Sequence, residues 1–256
     1  MRSRWFSAME RSLTIAGWRH YFRGEGGVMD DRVVVGIETS TREAAFALWT
    51  GTRFLSGRLS PERRHSVELV PSIAALLAEA GIPVSAVDRW VVAIGPGSYT
   101  GLRVGISAAT GMGMPFGKRP LGVGTFDLLA HQFFTKAAPE SDRVILATDA
   151  RRGEWHIQAR HRSEPVLDSD RALPIRVSAA EVLALHQAGA GPIVLPFGSG
   201  SAAWPATAWR QLAPDPTLLV ELGLQLSEPD ASAPPPEPLY LRPAVFVEPG
   251  PLRPRG

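Results

Sequence analysis

Two rhythms of apolar and polar positions alternate along the chain. Residues 33–37 are continuously apolar, and so are residues 90–94. Short unbroken runs bounded by turn residues predict strands buried on both faces. Residues 45–49 and 53–59 are two further runs around Thr50-Gly51, the pattern of a hairpin. Between residues 65 and 80 the period changes. Leu69, Ile73, Leu76, Leu77 and Ala80 recur on one helical face, Gly81 follows as a stop, and Pro71 inside the run predicts a kink. Residues 104–114 read as a second helix, 121–123 as a strand and 126–134 as a third helix.

The pattern then restarts. Residues 144–147 predict a buried strand ending in Thr148-Asp149-Ala150-Arg151. Residues 154–159 alternate, with Trp155, Ile157 and Ala159 on one face. Ser178 opens a helix over 179–188, and the apolar run 192–195 leads into Gly198-Ser199-Gly200-Ser201. Two copies of strand, hairpin, helix, strand and glycine loop predict a duplicated α/β architecture, repeated in topology and not in literal sequence. The expected division is a first lobe at 29–137 and a second, reduced lobe at 138–226. A Pro-rich linker at 227–246 would return the segment Leu239-Tyr240-Leu241-Arg242-Pro243 to the first lobe, and 247–256 would be disordered.

Composition agrees with two ordinary lobes. The 256 residues are 45% hydrophobic and 20% charged, as in a folded globular protein. The absence of cysteine removes disulfides and thiolate metal sites, and fits a cytoplasmic protein. A net charge of +2, with basic clusters only at Arg63-Arg64, Arg151-Arg152 and residues 160–162, excludes a dense basic surface. No apolar run approaches the ~20 residues of a membrane span. The first 28 residues scatter Arg2, Arg4, Arg11, Arg19 and Arg23 among aromatics, without the ~7-residue apolar core of a secretory signal. They are expected to be a disordered extension or a mis-assigned start, with Met29 as the natural one.

The stretch around which the chain is organised is Gly95-Pro96-Gly97-Ser98-Tyr99-Thr100-Gly101-Leu102-Arg103. It joins a buried strand to a helix, so backbone N–H groups and a helix dipole point out of it. Ser98 or Thr100 would cap that helix. The spacing is no nucleotide fingerprint: it lacks the Walker Lys-Ser/Thr pair, and Gly95, Gly97 and Gly101 give G-x-G-x-x-x-G, one residue too long. Nor does Ser98 sit in G-x-S-x-G. A tight turn with no ligand is the other reading. Beyond the loop, Gly101, Gly105, Ala109 and Gly113 fall four apart and form a bare ridge. Such a ridge lets another backbone approach closely, either the protein's own sheet or a helix of another subunit.

Taken together, residues 33–242 resemble the TsaB (YeaZ) family, through this loop, Glu38-Thr39-Ser40, Asp149-Ala150-Arg151-Arg152-Gly153-Glu154 and the Leu239–Arg242 tail. The family usually has Asp where Glu38 stands; Glu-Thr-Ser is the form of the related TsaD family. The resemblance implies a two-lobed ribonuclease-H-like, actin-like ATPase (ASKHA) fold with the second lobe reduced. It implies a non-catalytic partner of TsaD, the transferase that makes N6-threonylcarbamoyladenosine (t6A) at position 37 of tRNA. TsaE, a small ATPase, is a further implied partner. A homodimer would form when the partner is absent, and tRNA would be reached through the complex. No resident cofactor is implied beyond ATP or ADP at a complex interface.

Partner helices would meet through His65, Leu69, Ile73, Gly101, Gly105, Ala109 and Gly113. Glu38, Thr39, Ser40, Gly95, Pro96, Gly97, Ser98, Thr100, Arg103 and Asp149 would form a vestigial nucleotide loop site. TsaD carries a His-x-x-x-His metal pair after its glycine loop; residues 107–124 here contain no histidine, so no metal site and no catalytic residue are expected. The competing expectations are a free-standing actin-fold nucleotide hydrolase or kinase, and a metallopeptidase of the M22-like kind.

Overall fold

The computed structural model describes residues 19–22, 31–60, 65–168, 170–196, 204–205, 207–228 and 234–241. The first sheet is built from β1 (Arg19–Phe22), β2 (Val34–Glu38), β3 (Ala44–Trp49), β4 (Arg53–Leu59), β5 (Arg89–Gly95) and β6 (Pro120–Gly124). Its spatial order is β1-β4-β3-β2-β5-β6. The pairs β2–β3 and β3–β4 are antiparallel, and β2–β5 and β5–β6 are parallel. The second sheet contains β7 (Arg143–Arg151), β8 (Glu154–His161), β9 (Ile175–Ser178), β10 (Ile193–Pro196) and β11 (Trp209–Leu212), in the order β11-β10-β7-β8-β9. There β7–β8 and β8–β9 are antiparallel, and β7–β10 and β10–β11 parallel. Without β1, the two sheets have the same connectivity. The duplication expected from the sequence is therefore present.

Helices α1 (His65–Glu79) and α2 (Tyr99–Gly113) cover one face of the first sheet. Leu69, Ile73, Leu76 and Leu77 of α1 and Ile106 and Ala109 of α2 bury against Val35, Ile37, Phe46, Trp90 and Val92. Alternate residues of the same strands, Val34, Ala47, Val91 and Ala93, face the other way, as the two-residue period of a strand requires. They are covered by α5 (Pro216–Gln225) through Leu218, Leu219, Val220 and Leu222. The approach is close enough that a Cβ on Gly36 would lie 2.8 Å from Val220 Cγ2.

α3 (Thr125–Gln132) packs against both sheets. Its Phe126 and Leu129 pack on Val144 and Leu146 of β7, while α4 (Ala179–Leu185) covers the outer face of the second sheet through Val182. So α3 touches both sheets, its Leu128 packing with Val91, Ala93 and Val123 of the first, whereas α5, from the second half of the chain, packs on the first sheet. Dividing the chain at 137/138 corrects accordingly: α5, second by sequence order, belongs to the core of the first lobe.

Two more expectations change. Arg19–Phe22, inside the extension expected to lack order, pairs antiparallel with Arg53–Ser56 of β4. The remainder of 1–28, the second glycine loop at 198–201 and the end at 247–256 lie outside the described residues. The α5 helix, missed in the pattern, is apolar nearly all round. Its sequence signal is Asp215-Pro216-Thr217, where the Asp215 side chain accepts the Thr217 N–H at 2.9 Å and caps the helix ahead of Pro216.

Candidate functional site

The carboxyl ends of β2 and β5, neighbours in the first sheet, place two loops side by side. The Ser98 N–H donates to the Ser40 carbonyl at 2.7 Å, locking the loops together. Gly97 is required there, because a Cβ would collide with Ser40. Gly95 has φ 109°, and its peptide to Pro96 is cis. The Ser98 side chain caps α2 by accepting the Gly101 N–H at 3.2 Å. The first N–H groups of α2 therefore point past the loop.

Beside the loop lies a cleft of about 520 Å³. One wall is Ser40, Thr41, Arg42 and the Pro96–Thr100 loop. The facing wall comes from the second sheet: Thr148, Asp149, Ala150 and Arg151 at the end of β7, with His156 and Pro196. Leu239, Tyr240 and Leu241 of the returning tail form the rim. The tail is held by the Leu239 N–H donating to the Ile94 carbonyl at 2.7 Å. Tyr240 stacks on Tyr99 with ring centroids 4.9 Å apart, and Arg103 Nε donates to the Tyr240 hydroxyl at 2.5 Å.

Of the residues assigned to the loop site, Ser40, Pro96, Gly97, Ser98, Thr100 and Asp149 meet at this cleft. Arg103 joins the tail instead. Glu38 lies beneath the cleft, 1% exposed, and does not line it. Its Oε1 accepts the Ser40 N–H at 2.5 Å, and its Oε2 has no hydrogen-bond partner. Burial pushes its pKa up to about 7, against the opposing hydrogen bonds from Ser40 and the charge of Arg58. Arg42, Tyr99 and His156 are cleft residues that the sequence did not single out. The signal that could have found the first two is adjacency to the two loops.

The ridge of small residues is corrected. A Cβ on Gly101 would collide with the Thr39 carbonyl, and one on Gly105 with the Thr39 side chain. One on Gly113 would lie 2.6 Å from the Lys118 carbonyl and 3.0 Å from Trp90. Ala109, Leu69 and Ile73 are buried in the same core. The close backbone approach that the glycines allow is to the protein's own sheet and not to another subunit. The side chain of His65 lies outside the described set. The surface that α1 and α2 do present is their outer side. There Val67 and Val70 of α1 are 62% and 42% exposed, and Met114 and Phe116 just after α2 are 68% and 43% exposed. Ala74, Ala78, Ser107 and Gly111 are exposed between them.

Among the described residues, no group of three His, Asp or Glu side chains is placed to hold a metal, and no helix is long and apolar enough to cross a membrane.

Comparison with known proteins completes the site. The family model described as TsaD: tRNA N6-adenosine threonylcarbamoyltransferase matches residues 59–191, just over half of the chain. The tRNA threonylcarbamoyladenosine biosynthesis protein TsaB of Escherichia coli is 31% identical over 132 residues, 51% of this chain and 56% of that protein. TsaB of Haemophilus influenzae is 28% identical over 127 residues, 49% of this chain and 52% of that one. The matches thus span about half the length of these curated relatives. Among solved structures, YeaZ from Pseudomonas aeruginosa superposes with a TM-score of 0.60 and 25% identity, over 75% of this chain and 90% of that one. Another solved structure, of an uncharacterized Pseudomonas aeruginosa protein described as similar to peptidase YEAZ, gives a TM-score of 0.64 at 24% identity over 82% of this chain and all of its own. With the two-lobed fold of those structures and a family model matching more than half its length, the chain belongs to the TsaB (YeaZ) family, within the wider family of the tRNA N6-adenosine threonylcarbamoyltransferases.

Proposed function

We propose that this chain is a non-catalytic subunit of the machinery that makes t6A on tRNA, and that it binds and activates the threonylcarbamoyltransferase. The observation that carries the non-catalytic reading is Glu38. An acid that handles a reacting group, or that holds a metal for one, must reach the substrate. Glu38 ends the first central strand, yet it is buried under the cleft with burial favouring its neutral form. The E. coli and H. influenzae relatives, named as biosynthesis proteins of threonylcarbamoyladenosine, support the pathway. The outer side of α1 and α2 supports the partner role, because exposed apolar residues gathered on one face mark interaction surfaces.

A transferase subunit docks on that face, and a second copy of this chain takes its place when the transferase is absent. The two compete. A TsaE-like ATPase joins the assembled pair, and any ATP or ADP is held at a complex interface, with the subunits acting in the cytoplasm. The test is co-expression with the organism's own transferase, followed by size-exclusion chromatography and a threonylcarbamoyl-transfer assay on tRNA. Co-elution and transfer that requires this chain are expected. Val70→Arg adds a charge to the outer face, and is expected to weaken the pair at least tenfold, about 1.4 kcal/mol, with an unchanged melting temperature. Transferase binding that ignores Val70→Arg and tracks the cleft residues instead would move the docking face. ATP turnover by this chain alone at ~1 s⁻¹ or faster, a working enzyme's rate, would replace the reading with a nucleotide hydrolase.

A further inference from the structure

We propose that the Tyr99–Arg103–Tyr240 cluster anchors the docking face, and that Arg103 receives a carboxylate side chain of the transferase subunit. This rests on the reading that the chain docks on a transferase, and adds the residue and the chemistry of the contact. Arg103 is exposed, and its partners among the described residues are all uncharged. The Tyr240 hydroxyl accepts from Nε, and the guanidinium carbon lies 4.1 Å from the Tyr99 ring centroid and 5.5 Å from that of Tyr240. Other exposed arginines sit beside an acid of this chain, as Arg58 does with Glu43 and Arg176 with Glu154. Arg103 has no such counter-charge among the described residues.

The cation is also held in place before any partner arrives. The Leu239 N–H donates to the Ile94 carbonyl and fixes the tail, and Tyr240 stacks on Tyr99 with an angle of 30° between the rings. A long side chain free in water loses rotamer freedom when it binds, and one already ordered does not. Nε is the nitrogen of Arg103 engaged in a hydrogen bond. The two terminal amino groups are left to meet a carboxylate side by side, the arrangement in which arginine binds such groups most strongly.

The cluster continues the outer side of the helices. Tyr99, Arg103, Ser107, Gly111 and Met114 are exposed and recur at steps of four and three residues along α2. α1 and α2 run in the same direction, because each returns between parallel strands, β4 to β5 and β5 to β6. The first turns of α1, with exposed Val67 and Val70, therefore lie at the same end of the sheet as Tyr99 and Arg103. Exposed apolar side chains beside a held arginine and two tyrosines have the composition of an interface centre, where Tyr and Arg carry much of the binding energy. A nucleic-acid strand needs several cations along its track. The exposed neighbours here, Val67, Val70, Ser107 and Gly111, are uncharged, which favours a protein carboxylate.

The experiment measures binding of the full chain to the transferase by surface plasmon resonance at low and high salt. Arg103→Gln is expected to weaken the pair about tenfold, as loss of an interface arginine does, and to flatten the salt dependence. Its melting temperature should not change. Arg103→Lys keeps the charge without the planar fork and should restore only part of the affinity. Tyr240→Ala keeps the cation but frees it, and should weaken the pair about threefold through lost ordering. Arg103→Glu should remove binding, and changing one exposed acid of the transferase to arginine should bring it back. Failure of every such reversal would overturn the carboxylate contact. Binding that ignores Arg103→Gln but falls with Val70→Arg would overturn the anchor and leave the docking face standing. Binding that ignores both, or is absent in the parent chain, would overturn the face as well. If Arg103→Gln instead lost affinity for single-stranded RNA with transferase binding intact, the cation would serve nucleic acid and the proposal would fail.

Discussion

Gly105→Leu is expected to destabilise the monomer by about 3 kcal/mol, the upper part of the usual range for overpacking. For a domain of this size each kcal/mol moves the melting temperature by roughly 2–4 °C, so a drop on the order of 10 °C should be seen by circular dichroism. The reason is where a side chain would go. The first added carbon already meets Thr39, fully buried at the end of β2, and Gly101 meets the carbonyl of the same residue. Neither neighbour is a flexible tip that can swing away, and Thr39 belongs to the loop that Ser98 locks to α2. Gly111, on the same helix but facing open space, provides the control. Gly111→Ala should stabilise by up to about 1 kcal/mol, the helix-propensity difference. If Gly105→Leu melted like the parent protein and only lost its partner, the ridge would have to face outward.

This ridge also shows how far a sequence can be read. Its period put Gly101, Gly105, Ala109 and Gly113 on one face, and they do share one. Periodicity carries no information about what that face meets, so an internal and an intersubunit contact look alike until Thr39 and Trp90 are in place. The strand pattern was more informative. Continuous apolar runs marked β2, β5, β7 and β10 as central strands, and the restart at residue 144 predicted a second sheet wired like the first.

What failed was long-range. The packing of α5 on the first sheet has no local signature, because a helix buried on nearly all sides reads as an apolar run without a face. The edge strand β1 came from a segment with no alternation, and depends on pairing to β4. The cleft was legible in part. The two loops stood out through glycine and hydroxyl residues, whereas Arg42, His156 and the stacking of Tyr240 on Tyr99 required the sheets to be brought together. Glu38 was located correctly at the strand end, but its depth below the cleft could not be inferred from its position in the chain.

That depth makes Glu38 a source of pH-dependent stability. Its pKa rises from 4.5 to about 7 on folding, chiefly because burial penalises the carboxylate. The native state therefore binds a proton that the unfolded chain has released, and stability must fall as pH rises through this window. The full contribution is present below pH 4.5 and is gone above pH 7. At 1.36 kcal/mol per unit the loss amounts to about 3 kcal/mol. The carboxyl's surroundings offset only part of it. The hydrogen bonds from the Ser40 side chain and N–H oppose burial first and the Arg58 charge less, and together they leave the pKa raised.

Other acids titrate over the same range, so the measurement is the difference between the parent protein and Glu38→Gln. The amide oxygen of the substituted side chain keeps an acceptor for the Ser40 N–H, and the amide nitrogen, which carries no charge, takes the place of Oε2. Whatever fixed cost that nitrogen brings is the same at every pH. Urea unfolding from pH 4 to pH 8 should show the variant gaining on the parent steadily above pH 4.5, by about 3 kcal/mol at pH 7.5. A difference that stays flat across the range would mean that Glu38 is ionised in the native protein. The loop over residues 38–41 would then hold a carboxylate charge next to the cleft, and the case for a silent first-strand acid would fail with it.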